Sequence, residues 1–125
     1  MPVDNRRAHD RVAAGSLTAT VKEAGGLFNK LKKSHACVVL DLSREGAGVL
    51  SATGFDPMSD VVLTLETPDG LRVQLGGRVR FTNPVDAQHY RVGIHFHTPG
   101  PEGNAPEALE TLRKIEAQLA GRIDA

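Results

Sequence analysis

The sequence predicts an all-β protein: a six-stranded antiparallel β-barrel with a flexible N-terminal arm and one C-terminal α-helix. Short runs of aliphatic and β-branched residues alternate with polar residues, and 13 glycines and seven prolines supply the turns between them. Near the C-terminus the apolar spacing changes from a period of two to a helical period. With 125 residues, 40% of them hydrophobic, the chain has enough material for one core. We therefore divide it into an arm, residues 1–10, and a single domain, residues 11–125.

Six runs have strand character, and closing them into a barrel removes the edges that an open sheet would expose. A Pro68-Asp69-Gly70 turn separates two of these runs and is typical of a β-hairpin. A Gly25-Gly26 pair ends the first run. The predicted strands are residues 11–22, 36–42, 47–52, 60–66, 71–81 and 89–97.

Alternation within two of the runs predicts which side chains share a face. In residues 71–81 the odd positions, up to and including Phe81, are predicted to face inward, with a bulge at Gly76-Gly77. In residues 36–42 strict alternation places two sets on opposite faces. Val38, Leu40 and Leu42 form one set, and Cys37, Val39 and Asp41 form the other.

The C-terminal helix is predicted to span about residues 105–120. Asn104 is the expected N-cap, with Glu107 three residues later and Pro106 in the first turn. Gly121 is expected to close the helix. The buried stripe at helical spacing consists of Ala108, Leu112, Ile115 and Leu119.

Composition excludes several classes of protein. Fifteen basic and 15 acidic residues balance, so the broad positive field of a non-specific nucleic-acid coat is missing and no long nucleic acid is expected as a partner. No apolar run is long enough for a membrane-spanning helix, and no secretory signal is expected. The single cysteine, Cys37, excludes a disulfide framework and suits the cytoplasm.

Basic residues are concentrated in the first third of the chain. Residues 1–46 contain eight Lys or Arg against five Asp or Glu. This excess on a neutral protein favours a small anionic ligand, although solvated lysines around a loop would give the same count.

Two short motifs carry polar groups suited to such a ligand: an RxxxR at Arg7 and Arg11, and a DxSxxG at Asp41, Ser43 and Gly46. Alone, the first is also a common solvated helix face and the second a common turn at a strand end. Together they form a more specific set. Arginine binds phosphate or the O6/N7 edge of guanine through two donors, and a carboxylate accepts from guanine N1–H and N2–H. The combination indicates a guanine-containing anionic nucleotide.

These motifs and their order along the chain resemble the PilZ domain family. The matching segments are RRAHDR before the first strand, DLSREGAG after the second and YRVGIHF in the last. The resemblance implies a six-stranded barrel with a C-terminal helix that binds the bacterial second messenger cyclic di-GMP and relays it to a downstream protein in motility or biofilm regulation. It implies that Arg7 and Arg11 contact guanine and phosphate, and that Asp41, Ser43 and Gly46 complete the site.

Two further positions bear on that resemblance. Arg6 precedes RxxxR, where arginine-bearing members often take up a stacked pair of ligands, so two ligand molecules per chain are expected. No tryptophan is present to stack on guanine, and Phe81 is either a weaker substitute or a core residue.

Other functions have less support in the sequence. His89, His95 and His97 lack a matching carboxylate or cysteine pair, so no metal or cofactor is expected. Cys37 and the nearby His35 do not form a nucleophile pair without a third group to orient them. The sequence also has no phosphate-binding loop, so no enzyme is expected. The alternative is a small barrel that binds single-stranded nucleic acid or protein through Lys30, Lys32 and Lys33. A barrel that binds single strands should carry interleaved aromatic residues that stack on bases, and the four phenylalanines and one tyrosine of this sequence do not supply them.

Overall fold

The computed structural model describes residues 17–24, 33–99 and 103–124. Six antiparallel strands form a closed barrel in the order β1-β2-β3-β6-β5-β4, and one helix follows them, which confirms the predicted fold class. The elements are β1 Thr18–Glu23, β2 Ser34–Leu42, β3 Gly46–Ser51, β4 Asp60–Glu66, β5 Arg72–Pro84, β6 Tyr90–Phe96 and α1 Pro106–Asp124. Residues 11–16 of the predicted first strand, and the Gly25-Gly26 break, lie outside the described residues.

Strand alternation accounts for most of the core. In β4, Val61, Leu63 and Leu65 are buried, while the residues between them are partly exposed. The predicted hairpin turn joins β4 to β5, with Gly70 at a φ of 100° that favours glycine. The described helix is not long and apolar enough to span a membrane.

A β-bulge in β2 changes which face its last residues occupy. Val39 pairs with Val49, but Asp41, two residues later, pairs with the adjacent Gly48. Val39 is therefore buried and Asp41 exposed, although both have odd numbers. The predicted division of residues 36–42 into two strictly alternating faces is wrong for this reason, because an inserted residue reverses the alternation beyond it.

A second bulge lies in β5, at Arg80 rather than at the predicted Gly76-Gly77. Val79 pairs with Ile94, and Phe81 pairs with the neighbouring Gly93. Phe81 is consequently turned to the outer surface, where it is 39% exposed, and its predicted core position is wrong. Gly76-Gly77 pairs in regular register with β4.

The helix packs against β5 and contributes Leu112 and Ile115 to the buried core. Asn104 is not its N-cap: the first helical amides, from residues 108 and 109, donate to the carbonyl of Ala105. The buried Asn104 amide instead accepts from the Gly76 N–H at 2.8 Å and donates to the Gly76 and His97 carbonyls. The helix also continues through Asp124, so the predicted end at Gly121 is wrong.

Candidate functional site

A cavity of about 340 Å³ lies on the outer surface of the barrel, across β2, β3, β6 and β5. Its volume falls in the range of about 300–1,000 Å³ that is typical of small-molecule sites. Its lining residues are Asp41, Ser43, Glu45, Gly46, Ala47, Gly48, Arg80, Phe81, Arg91, Gly93, Ile94 and His95. Three residues of the predicted site, Asp41, Ser43 and Gly46, are thus brought together on one surface.

Glycines form part of the floor of this cavity. The strand registers place Asp41 beside Gly48, Gly48 beside Gly93 and Gly93 beside Phe81, in one row across four strands. The aromatic ring of Phe81 lies over Gly93, so a Cβ at that position would overlap the ring. The row therefore has a carboxylate at one end and an aromatic ring at the other, and the two glycines between them leave the space that these side chains occupy.

Asp41 is held by the backbone of the next strand. Its Oδ1 accepts a hydrogen bond from the Gly48 N–H at 3.0 Å. A Cβ at Gly48 would lie 2.8 Å from Asp41 Oδ2, so the carboxylate uses the space that the missing side chain leaves. On its other side, Asp41 Oδ2 lies 3.5 Å from Arg91 Nη2, and both side chains are about half exposed. The carboxylate is thus fixed in direction and open to solvent.

Ser43 and Gly46 form the turn between β2 and β3. The Ser43 N–H donates to the Gly46 carbonyl at 2.9 Å, and the Ser43 hydroxyl accepts from the Glu45 N–H at 3.2 Å. A Cβ at Gly46 would collide with the Ile94 carbonyl oxygen. Glycine is required here because β6 approaches closely, and the turn keeps the Ser43 hydroxyl at the cavity edge.

Arg6, Arg7 and Arg11 lie outside the described residues, so the structure does not test their predicted role. The chain enters β1 at the end of β2 that carries Asp41, because the two strands are antiparallel and Ala19 pairs with Cys37. Asp41 lies about 13 Å farther along β2 at the usual rise of a strand. Arg11 is six residues before Leu17, and six steps of extended chain span up to about 20 Å, so the cavity lies within reach.

Several lining residues were not identified from the sequence. Arg91 and Gly93 fall in the YRVGIHF segment, but no role followed from its pattern alone. Gly48 was likewise unassigned, although Gly46 and Gly48 alternate in β3 and so mark a strand face without side chains. Phe81 joins the cavity only because of the β5 bulge.

Other reactive groups lie outside this surface or do not cluster. Burial raises the pKa of the Cys37 thiol to about 11, so the thiol is a weak nucleophile. Within residues 17–24, 33–99 and 103–124, no three His, Cys, Asp or Glu side chains group closely enough to hold a metal ion. The cavity itself combines Arg80 and Arg91 with Asp41 and Glu45, charges suited to a ligand that is both anionic and a hydrogen-bond donor.

Comparisons with known proteins agree with the architecture. The family model described as "PilZ domain" matches residues 5–114. The structure is similar to the inhibitor of motility MotI/DgrA from Bacillus subtilis, with 13% identity, a TM-score of 0.55 and coverage of 84% of this chain and 47% of that one. It is also similar to apo MrkH from K. pneumonia, with 11% identity, a TM-score of 0.60 and coverage of 86% and 48%.

A second MrkH structure, described as a c-di-GMP-dependent transcription regulatory factor, matches with 11% identity and a TM-score of 0.56. It covers 83% of this chain and 46% of that one. The chain therefore spans about half the length of the solved structures it matches, and at these identities the likeness shows the fold. The search of curated protein sequences finds no significant match.

Proposed function

Because the chain belongs to the PilZ domain family, whose members are binding and regulatory modules, we propose that it is a receptor for cyclic di-GMP. The observation that carries this proposal is the shared cavity of Asp41, Ser43 and Gly46 on the barrel surface. Family membership supplies the ligand, and the cavity supplies a carboxylate, a hydroxyl and a partly exposed aromatic ring.

In this proposal Asp41 recognises the guanine base. Its carboxylate is directed by the Gly48 N–H, and it accepts hydrogen bonds from guanine N1–H and N2–H. Adenine N1 is a hydrogen-bond acceptor like the carboxylate, so the two groups would face each other without a hydrogen bond and adenine is disfavoured. The ring of Phe81 at the other end of the glycine floor offers a face for stacking.

Arg7 and Arg11 supply the remaining contacts in the proposal, reaching guanine and phosphate from the segment before β1. Arg6 provides a third guanidinium and favours a second ligand molecule. The arm, residues 1–10, and the barrel domain, residues 11–125, would then act as two halves of one site.

We propose that the receptor relays its signal to a partner protein. MotI/DgrA is described as an inhibitor of motility and MrkH as a c-di-GMP-dependent transcription factor, each about twice as long as the aligned region. A barrel that binds the nucleotide at its surface presents a changed surface to another protein, and this is the relay we propose in motility or biofilm control.

Titration calorimetry with cyclic di-GMP and cyclic di-AMP tests the proposal. The wild-type protein should bind the guanine nucleotide and reject the adenine one, and Asp41→Asn should lose both affinity and that selectivity. Asp60→Asn is the matched control, because Asp60 is a half-exposed acid paired with an arginine outside the cavity lining. Absence of cyclic di-GMP binding by the wild-type protein, or preference for single-stranded nucleic acid, would reject this function.

A further inference from the structure

Arg91 reaches across one whole strand of the barrel. It lies on β6, which pairs with β3, and β3 in turn pairs with the β2 strand that carries Asp41. The Arg91 guanidinium nevertheless comes within 3.5 Å of the Asp41 carboxylate. On β3, Leu50 pairs with Arg91 and Gly48 pairs with Asp41, so the guanidinium extends diagonally toward a position that has no side chain. The glycine floor thus allows a barrel arginine to extend over the cavity.

The ion pair between Arg91 and Asp41 holds neither side chain strongly. The two atoms are 3.5 Å apart, and the side chains are 52% and 55% exposed. Pairs of this kind contribute little because water screens them and ordering two side chains costs entropy. Asp41 is also held by the 3.0 Å hydrogen bond from the Gly48 N–H, which does not involve Arg91. Orienting Asp41 is therefore an insufficient role for Arg91.

From this geometry we infer that Arg91 is a phosphate-binding residue of the site. The inference rests on the proposed function and adds a contact from the barrel to those of the arm. When guanine N1–H and N2–H occupy the Asp41 carboxylate, the Arg91 guanidinium loses its partner at the cavity and pairs with a phosphate of the bound nucleotide. Its planar fork matches two phosphate oxygens, and after the exchange Asp41 and Arg91 both keep hydrogen-bond partners.

Arg78 provides a matched control on the same barrel surface. It is exposed to the same degree as Arg91 and pairs with an acid, Asp60, at 3.4 Å. It does not line the cavity. Arg78→Met and Arg91→Met therefore each remove one positive charge from a similar ion pair. Only Arg91→Met removes that charge from the cavity.

The test is a double-mutant cycle of cyclic di-GMP affinity, measured by calorimetry up to millimolar nucleotide. Arg91→Met should weaken binding about 5- to 10-fold, because it removes a charge-assisted contact whose strength is reduced by solvent screening. Arg78→Met should not weaken binding. The same loss should persist in the Asp41→Asn background, which retains an oxygen for the Gly48 N–H. Rescue by Arg91→Lys should be partial, since a lysine keeps the charge without the fork.

Each other result overturns the inference. If Arg91→Met binds like Arg78→Met, Arg91 makes no ligand contact. If the loss disappears in the Asp41→Asn background, Arg91 acts only through Asp41. Both results leave wild-type binding intact and so leave the proposed function standing. If the wild-type protein itself does not bind cyclic di-GMP, the proposed function fails together with the inference.

Discussion

The ring of Phe81 covers the backbone of Gly93 on the outside of the barrel, at the end of the cavity opposite the Asp41 carboxylate. An outward aromatic residue over a glycine contributes less to the core than a buried one, and Phe81 is 39% exposed. Its position at the cavity indicates a role in binding rather than in folding.

Replacement of Phe81 by alanine should therefore weaken cyclic di-GMP binding with little effect on stability. Stacking between an aromatic side chain and a base is worth about 1–3 kcal/mol, which corresponds to a loss of about 5- to 150-fold. Phe81→Trp should retain affinity because it restores a larger stacking face. Val85→Ala, at an exposed apolar residue outside the cavity lining, is the control, and urea unfolding compares the stability of all three variants. A Phe81→Ala protein that binds normally would show that the ring is not a stacking surface.

Arg7 and Arg11 should each carry a large share of the affinity. A bidentate arginine contact is worth roughly 1–3 kcal/mol, so alanine at either position should weaken binding about 5- to 150-fold. Lysine should not restore binding, because a point charge cannot match a planar pair of acceptors. Calorimetry of the four variants measures this, and wild-type affinity in Arg7→Ala or Arg11→Lys contradicts the assignment.

Arg6 should determine how many nucleotides bind. Two stacked ligands double the phosphate charge in one place, and a third guanidinium offsets that repulsion. We expect two cyclic di-GMP molecules per chain in the wild-type protein and a ratio approaching one in Arg6→Leu. The ratio comes from calorimetry at protein concentrations well above the dissociation constant. A wild-type ratio of one would reject this expectation.

Deletion of residues 1–10 should abolish binding while the unliganded domain keeps its thermal stability within a few degrees, because terminal segments without packed apolar residues contribute little. Hydrogen exchange provides a second measurement. Ligand should slow exchange at the amides of residues 6–11 and of the turn at residues 41–46. We expect the ligand to order the arm. Slow exchange at residues 6–11 before ligand is added would contradict this expectation.

Burial of Cys37 should appear in both reactivity and pH dependence. Burial raises its pKa from the ordinary 9.0 to about 11, so the folded protein should react with iodoacetamide at pH 8 about 100-fold more slowly than the unfolded chain. Between pH 9 and 11 the unfolded thiol releases its proton while the folded one retains it, so this group lowers the free energy of unfolding as pH rises. Subtracting the pH profile of Cys37→Ala isolates the effect, and identical profiles would contradict it.

Local sequence patterns were sufficient for the architecture and for part of the site. Alternation predicted β4 with the bounds that the structure shows, residues 60–66, because a strand with one buried face places an apolar side chain at every second residue. The Pro-Asp-Gly turn and the helical spacing of Leu112 and Ile115 were equally local signals. The DxSxxG motif was recognisable because Ser43 and Gly46 belong to one turn whose hydrogen bonds form between near neighbours.

Contacts between distant parts of the chain decided the rest. The bulges in β2 and β5 exist only relative to the strands they pair with, so no period within residues 36–42 or 71–81 could show that Asp41 faces away from Val39 or that Phe81 turns outward. Asn104 suits a helix cap by its type, yet it forms two hydrogen bonds with the Gly76 backbone and a third with the His97 carbonyl. Arg91 reaches Asp41 diagonally across β3, where Leu50 pairs with Arg91 and Gly48 pairs with Asp41. Sequence spacing thus determined which residues bear the chemistry, whereas strand pairing determined which of them face the same cavity.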